Sequence, residues 1–294
     1  MTKEAFSPAG RSAAEISKGA TEILVLSEVD VMACIDLSQL LDVLEDGFKA
    51  LSQGKVVNPP RPQLNIPGAG YSLAMPAWME GMNLTVKVVN VFEGNLAKNL
   101  PSHLATISLF DPLSGLPVCI MDGTFITAVR TSGSAVLSVR ALARRDARIV
   151  TVVGAGVQAN QHLHLLPLVR DFAEIRVASK SFDDWVRPGT HVSSVGVAPP
   201  GGEMPIELIG KSSLFVETRD AFEPTPVGSC ELAGFDPDFG TELGAMLLDR
   251  APGRVSDQQI TTYKAMGIAM EDMVAADLAY RCAKRLRKGK LIVL

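Results

Sequence analysis

Residues Ile149-Val-Thr-Val-Val153 form a short apolar run in which neither face alternates with polar side chains. That is the pattern of a strand buried on both faces, as in a parallel sheet with helices on either side. The run leads directly into Gly154-Ala155-Gly156-Val157-Gln158-Ala159 and then into residues that can form a helix. In such a G-x-G-x-x-A turn Gly154 permits the tight reversal, and Gly156 lets backbone approach a pyrophosphate. Ala159 is small enough for helix to pack on strand. The helix start then offers N–H groups and about half a positive charge to a phosphate. The glycines alone would suit an ordinary strand–helix turn. Strand, turn and helix together predict an α/β fold with a Rossmann-type parallel sheet, and make all six residues, 154 to 159, candidates for binding a dinucleotide.

Composition narrows the class. A chain of 294 residues is long enough for two domains, and a net charge of −4 argues against a nucleic-acid partner. Cys34, Cys119, Cys230 and Cys282 include no C-x-x-C pair, which favours a reduced, cytoplasmic setting over disulfides or zinc. His103, His162, His164 and His191 show no metal-ligand spacing, so no metal is expected. No apolar run approaches the ~18 residues that cross a bilayer, so no membrane is expected either. Residues 1–20 mix Lys, Glu, Ser, Pro and Gly and read as a flexible N-terminal arm. The cations between Arg281 and Lys290 read as a solvated helix end.

Strands are expected at Glu22–Leu26, Gln63–Ile66, Tyr71–Met75, Leu84–Val91, Ala105–Asp111, Leu116–Met121 and Glu174–Ala178. Asp111-Pro-Leu-Ser-Gly115 has the composition of a hairpin turn. Helices are expected at Asp36–Ser52, Phe125–Arg144 and Gln258–Ala283.

Three cations stand out before the nucleotide motif. Lys87 lies inside Leu84-Thr-Val-Lys-Val-Val-Asn-Val-Phe92, where burial would be costly unless it is paired or functional; on a half-exposed strand it would face water. Arg130 sits among the small residues of Thr127-Ala-Val-Arg-Thr-Ser-Gly-Ser134. Its planar fork suits a carboxylate, whether of a ligand or of a structural salt bridge. Arg61 follows Pro59-Pro60 on a stiff loop and alone would read as a surface residue.

Taken in order, Arg61, Lys87-Val-Val-Asn, Asn95, Leu109-Phe-Asp-Pro-Leu-Ser-Gly115, Met121-Asp-Gly123, Thr127-Ala-Val-Arg-Thr131, the Gly154 turn and Tyr263-Lys-Ala-Met-Gly-Ile-Ala-Met-Glu-Asp272 resemble the ornithine cyclodeaminase/μ-crystallin family from about Ile23 to Tyr280. The resemblance implies a Rossmann domain, here 145–254, and an α+β substrate-binding and dimerisation domain from both chain ends, 21–144 and 255–294. It implies that Arg61, Lys87 and Arg130 hold a substrate carboxylate, with Ser102 at a place where a hydroxyl assists, and that Gln158 and Thr131 face the cofactor.

Two departures from the family pattern shape the expected chemistry. The family's cyclodeaminases carry an aspartate, after the strand here read as His191–Gly196, that handles the substrate amine and proton transfer. The matching position is Ala198, and no spacing argument promotes nearby Glu203 in its place. Without that aspartate, ornithine cyclisation is disfavoured and a simpler reduction remains: hydride attacks a preformed C=N carbon, and Lys87 or water supplies the proton. The second departure lies after Ser181. A further strand–helix–strand passage of a doubly wound sheet is missing there, so the sheet is expected to be shortened after its second strand.

Cofactor preference is read at the end of that second strand. Ser179 and Lys180 offer a cation and no acid, which favours NADP(H) over NAD(H). The expected protein is therefore an NAD(P)H-dependent reductase of a small cyclic imino acid, pyrroline- or piperideine-2-carboxylate in type, working as a homodimer. The alternatives are an amino-acid dehydrogenase or cyclodeaminase-like enzyme, and an inactive μ-crystallin-like ligand-binding protein.

Overall fold

The computed structural model describes residues 21–178, 186–196 and 202–293. The chain begins with β1 (Glu22–Leu26), α1 (Glu28–Cys34) and α2 (Leu37–Ser52). Both helices are opened by side chains. The Ser27 hydroxyl accepts from the Asp30 N–H (3.3 Å) while the Asp30 carboxylate accepts from the Ser27 N–H (3.1 Å). Asp36 accepts from the Gln39 N–H at 2.9 Å. Each bond satisfies an N–H that has no acceptor within its helix.

Next come β2 (Val56–Val57), β3 (Gln63–Ile66), β4 (Gly70–Met79), β5 (Leu84–Val91), β6 (His103–Phe110) and β7 (Pro117–Asp122). The β6–β7 turn forms as its residue types predict. The Asp111 carboxylate accepts from the N–H groups of Leu113 (3.1 Å) and Ser114 (2.8 Å), and Gly115 takes a φ of +73°. Then follow α3 (Thr124–Leu142), β8 (Ile149–Val153), α4 (Val157–Val169), β9 (Glu174–Ala178), β10 (His191–Ser194), α5 (Ile206–Lys211) and β11 (Ser213–Val216). The chain ends with β12 (Gly240–Glu242), α6 (Leu243–Leu247), β13 (Thr261–Lys264), α7 (Ala269–Leu286) and β14 (Lys290–Val293).

These elements form two compact units. The first takes the chain up to Ile35, Lys55–Ile126 and everything from Asp272 onward. Its mixed sheet runs β14-β1-β7-β6-β5-β4-β2, with β3 alongside β4. β1 and β7 are parallel, and the remaining pairs are antiparallel. Cross-strand partners share a face. In β5 the inward residues are Thr85, Lys87, Val89 and Val91, and Lys87 stands opposite Met75 and Ile107, both buried.

The second unit takes Asp36–Gly54 and Thr127–Glu271. It contains a parallel four-stranded sheet, β10-β13-β11-β12, and the separate parallel pair β8–β9. Its core is built from Val192, Met204, Ile209, Leu214, Val216, Ala221, Phe222 and Leu232.

The units divide the chain at other points than the domains 21–144 plus 255–294 and 145–254. α2 joins the second unit because its apolar face packs there. A methyl at Gly133 would come within 2.7 Å of Leu44, and one at Gly244 would collide with the Phe48 carbonyl.

The chain from 255 to 271 also belongs to the second unit, because 261–264 is a strand where a helix was expected from Gln258. Thr261, Thr262, Tyr263 and Lys264 are all fully buried. Partners replace hydrophobicity here. Thr261 Oγ1 meets His191 Nδ1 (2.9 Å) and accepts from Arg254 (2.9 Å), and Thr262 Oγ1 meets Ser212 Oγ at 2.8 Å. Such a strand has no apolar periodicity to reveal it. Likewise the segment read as a solvated helix end splits, α7 stopping at Leu286 and β14 pairing with β1. Among the described residues no helix is long and apolar enough to cross a membrane.

Candidate active site

The nucleotide motif folds as strand, turn and helix, but the strand is not buried on both faces: Ile149 and Val153 are exposed, because β9 is its one neighbour among the described strands. β8 ends at Val153, Gly154 takes a φ of +112°, and α4 begins after Gly156. Few residues other than glycine reach such a φ. A methyl at 154 or at 156 would meet no atom of the described residues within 4 Å, so among them the turn is open. Gly156 makes no side-chain cap, and the first N–H groups of α4 lack acceptors within the helix. Ala159 is buried, as its packing role requires, while Ala155 and Val157 are exposed. Open glycines at the start of a long helix fit the phosphates of a dinucleotide.

Gln158 and Thr131 are both held from α3. Ser132 Oγ donates to Gln158 Oε1 at 2.8 Å, and the Thr131 hydroxyl donates to the Thr127 carbonyl at 2.7 Å. His162 on α4 lies 2.7 Å from the Gln158 carbonyl, and burial lowers its pKa. Ser179, Lys180 and Ala198 lie outside the described residues.

The two central cations are buried and paired, not solvated. Lys87 Nζ is 2.6 Å from Asp272 Oδ2, with both side chains sealed in the first unit. Arg130 Nη1 donates to Glu271 Oε2 at 2.6 Å within the second. Glu271 also accepts from the Ile268 N–H at 3.3 Å, which closes the first turn of α7. Gly267 presses against Arg130 so closely that a methyl there would stand 2.6 Å from Nη1. Glu217, just past β11, accepts from the N–H groups of Met266 (2.9 Å) and Gly267 (3.2 Å). Tyr263 is wholly buried, and burial together with Glu217 and Glu271 pushes its pKa well above the usual value.

Arg61 and Ser102 sit at partly exposed positions. Ser102 Oγ lies 3.0 Å from His103 Nδ1; His103 is exposed, and partial desolvation lowers its pKa.

Sequence reasoning missed Glu217, Glu271 and Asp272 as partners. Glu271 and Asp272 were visible only within a motif, because their cations stand far away along the chain. Among the described residues no group of His, Cys, Asp and Glu could hold a metal.

A glycine turn at the start of a helix, following a parallel strand, defines a dinucleotide-binding α/β protein. The model of the ornithine cyclodeaminase/mu-crystallin family matches residues 21–182 and 177–286, and the chain belongs to that family. The two matched pieces meet at 177–182, where the missing passage was expected.

Three relatives illustrate the likeness. Alanine dehydrogenase of Archaeoglobus fulgidus is 26% identical over 320 aligned residues, covering 92% of this chain and 98% of its own. The ketimine reductase mu-crystallin of Mus musculus is 29% identical over 255 residues, covering 72% and 80%. The structure of Thermococcus litoralis Δ1-pyrroline-2-carboxylate reductase in complex with NADH and L-proline matches with a TM-score of 0.84 at 28% identity. It covers 92% of this chain and 100% of that one.

Proposed function

We propose that this protein reduces the C=N bond of a small cyclic imino acid, of the pyrroline- or piperideine-2-carboxylate type, using a nicotinamide dinucleotide. The observation that carries the reading is the open Gly154–Gly156 turn at the start of α4, in a chain whose relatives include reductases of this kind. When bound, the reduced nicotinamide supplies the hydride. The protein's part is to bind phosphates at the α4 N-terminus and to hold the substrate. Arg130, Lys87, Arg61 and Ser102 are assigned to the substrate carboxylate. The Lys87 ammonium, paired with Asp272, is also assigned as the proton donor, with water as the alternative. NADP(H) is preferred over NAD(H), an assignment that rests on Ser179 and Lys180. The working form is a homodimer of the two-domain chain.

Titration with NADPH and NADH, followed by nicotinamide fluorescence, comes first, and turnover of Δ1-pyrroline-2-carboxylate second. Binding of neither nucleotide overturns the reading. Turnover only with a 2-oxo acid and ammonia would place the protein with the alanine dehydrogenases instead.

One observation favours an inactive ligand-binding protein. β9 pairs with β8 alone among the described strands, and its residues are largely exposed. Nucleotide binding without turnover of any imino acid or amino acid would select that reading.

A further inference from the structure

At the carboxyl ends of β10 and β13 the second unit presents a carboxylate to which the function above gives no task. Glu203 folds back over the end of β10. Its Oε2 accepts from Ser194 Oγ at 2.6 Å and from the Gly196 N–H at 2.8 Å, and lies 3.7 Å from Lys264 Nζ. Glycine at 196 admits it, because a methyl there would collide with the carboxyl group. Lys264 is fully buried. It donates to Ser194 Oγ (2.9 Å) and to the Gly196 carbonyl (2.5 Å), and pairs with Glu231 at 2.9 Å.

One ammonium therefore serves two carboxylates, and the cluster carries one negative charge in excess. Glu231 is sealed, while the Glu203 side chain is 37% exposed. Among the described residues Glu203 Oε1 receives no hydrogen bond, so the surplus charge is presented there. The carboxyl ends of parallel strands are where open α/β sheets receive their ligands.

The same stretch of chain reaches the guanidinium assigned to the substrate carboxylate. From Lys264, which holds Glu203, three residues lead to Gly267, which lies against Arg130. Residues 264–267 thus link an anion-seeking group to a cation-seeking one. A protonated cyclic imino acid carries those two charges, one on its carboxylate and one on its ring nitrogen.

We infer that Glu203 is the counter-ion of the protonated substrate nitrogen and selects the iminium form for reduction. This inference rests on the imino-acid reading. An ionised carboxylate near C=N favours its protonated state. When hydride adds to the carbon, the π pair moves to nitrogen and the positive charge is cancelled, so no proton need leave Glu203. The neutral amine then takes a proton from solvent.

The test compares two ring acids that differ in the nitrogen: L-proline, whose nitrogen is cationic, and pyrrole-2-carboxylate, whose nitrogen carries no charge. Binding of each is measured calorimetrically with the nucleotide-loaded wild type, with Glu203→Gln and with Glu203→Asp. Glu203→Gln should weaken L-proline about tenfold or more and leave pyrrole-2-carboxylate within about twofold. Glu203→Asp, which keeps the charge, should retain the preference for L-proline even if the glutamine variant folds poorly. Equal losses for both ligands, or no loss for either, would overturn the role of Glu203 while leaving the imino-acid reading intact. A wild type that binds the nucleotide but neither ring acid would overturn the imino-acid reading, and this inference with it.

Discussion

Lys87→Met is the sharpest test of the buried lysine. The substitution nearly preserves volume, so packing contributes little to its effect. It removes the cation 2.6 Å from Asp272, at a position where both side chains are sealed from water. Removing one member of a buried pair costs about 3–5 kcal/mol, against about 0–1 kcal/mol for an exposed pair. Asp272→Asn should also destabilise. Lys87→Met with Asp272→Asn, which leaves neither charge, should recover a coupling of about 2 kcal/mol or more relative to the sum of the single changes. The assay is urea unfolding followed by tryptophan fluorescence. The chain has two tryptophans, so in a Trp185→Phe background Trp78 on β4 alone reports on the first unit. A Lys87→Met cost below about 1 kcal/mol, or strict additivity in the cycle, would refute a tight buried ion pair.

Five further outcomes are expected. Gly156→Ala should fold normally, since a methyl there meets nothing of the described residues within 4 Å and φ is −88°, yet lose nucleotide affinity by obstructing phosphate approach. Gly154→Ala should instead cost stability of about 1–3 kcal/mol, because of its φ of +112°; equal melting of the two variants would contradict this. Arg130→Ala should raise the KM for the imino acid, and an unchanged KM would remove its assigned role. Lys180→Asp should shift preference from NADPH toward NADH, as read from paired titrations. His191 is half-buried, and its pKa is lowered to about 3, first by desolvation and then by Arg254. The unfolded chain therefore binds a proton that the folded chain refuses, so stability is lost as pH falls from about 6.5 toward 3. His191→Gln should reduce that slope by about 1.4 kcal/mol per pH unit in pH-dependent urea unfolding.

How much the sequence reveals depends on whether local pattern or distant partners shape an element. β1, β3, β5 and β9 fall at the expected residues, because alternating and β-branched runs favour an extended chain, even in β3 and β9, where most residues are exposed. The same logic fails at β13, where two threonines and a lysine are buried through hydrogen bonds made by residues far along the chain. The nucleotide turn is legible because glycine spacing encodes its geometry. Lys87 is ambiguous in sequence, since a strand alternates faces and only the pairing with Met75 and Ile107 shows which face is inward. Glu203 is illegible for a related reason. Its significance comes from folding back to Gly196 and from sharing a lysine with Glu231.

The ribbon of β8 and β9 carries a thermodynamic consequence. Among the described residues this sheet has two strands, a marginal arrangement by itself, and the glycine turn hangs from its end. The amides of Ile149–Val153 and Glu174–Ala178 should therefore exchange with solvent sooner than those of the four-stranded sheet. Phosphate bound at the turn stabilises the ribbon it grips, so nucleotide concentration should set its exchange rate. Cofactor affinity then includes the work of holding those two strands together.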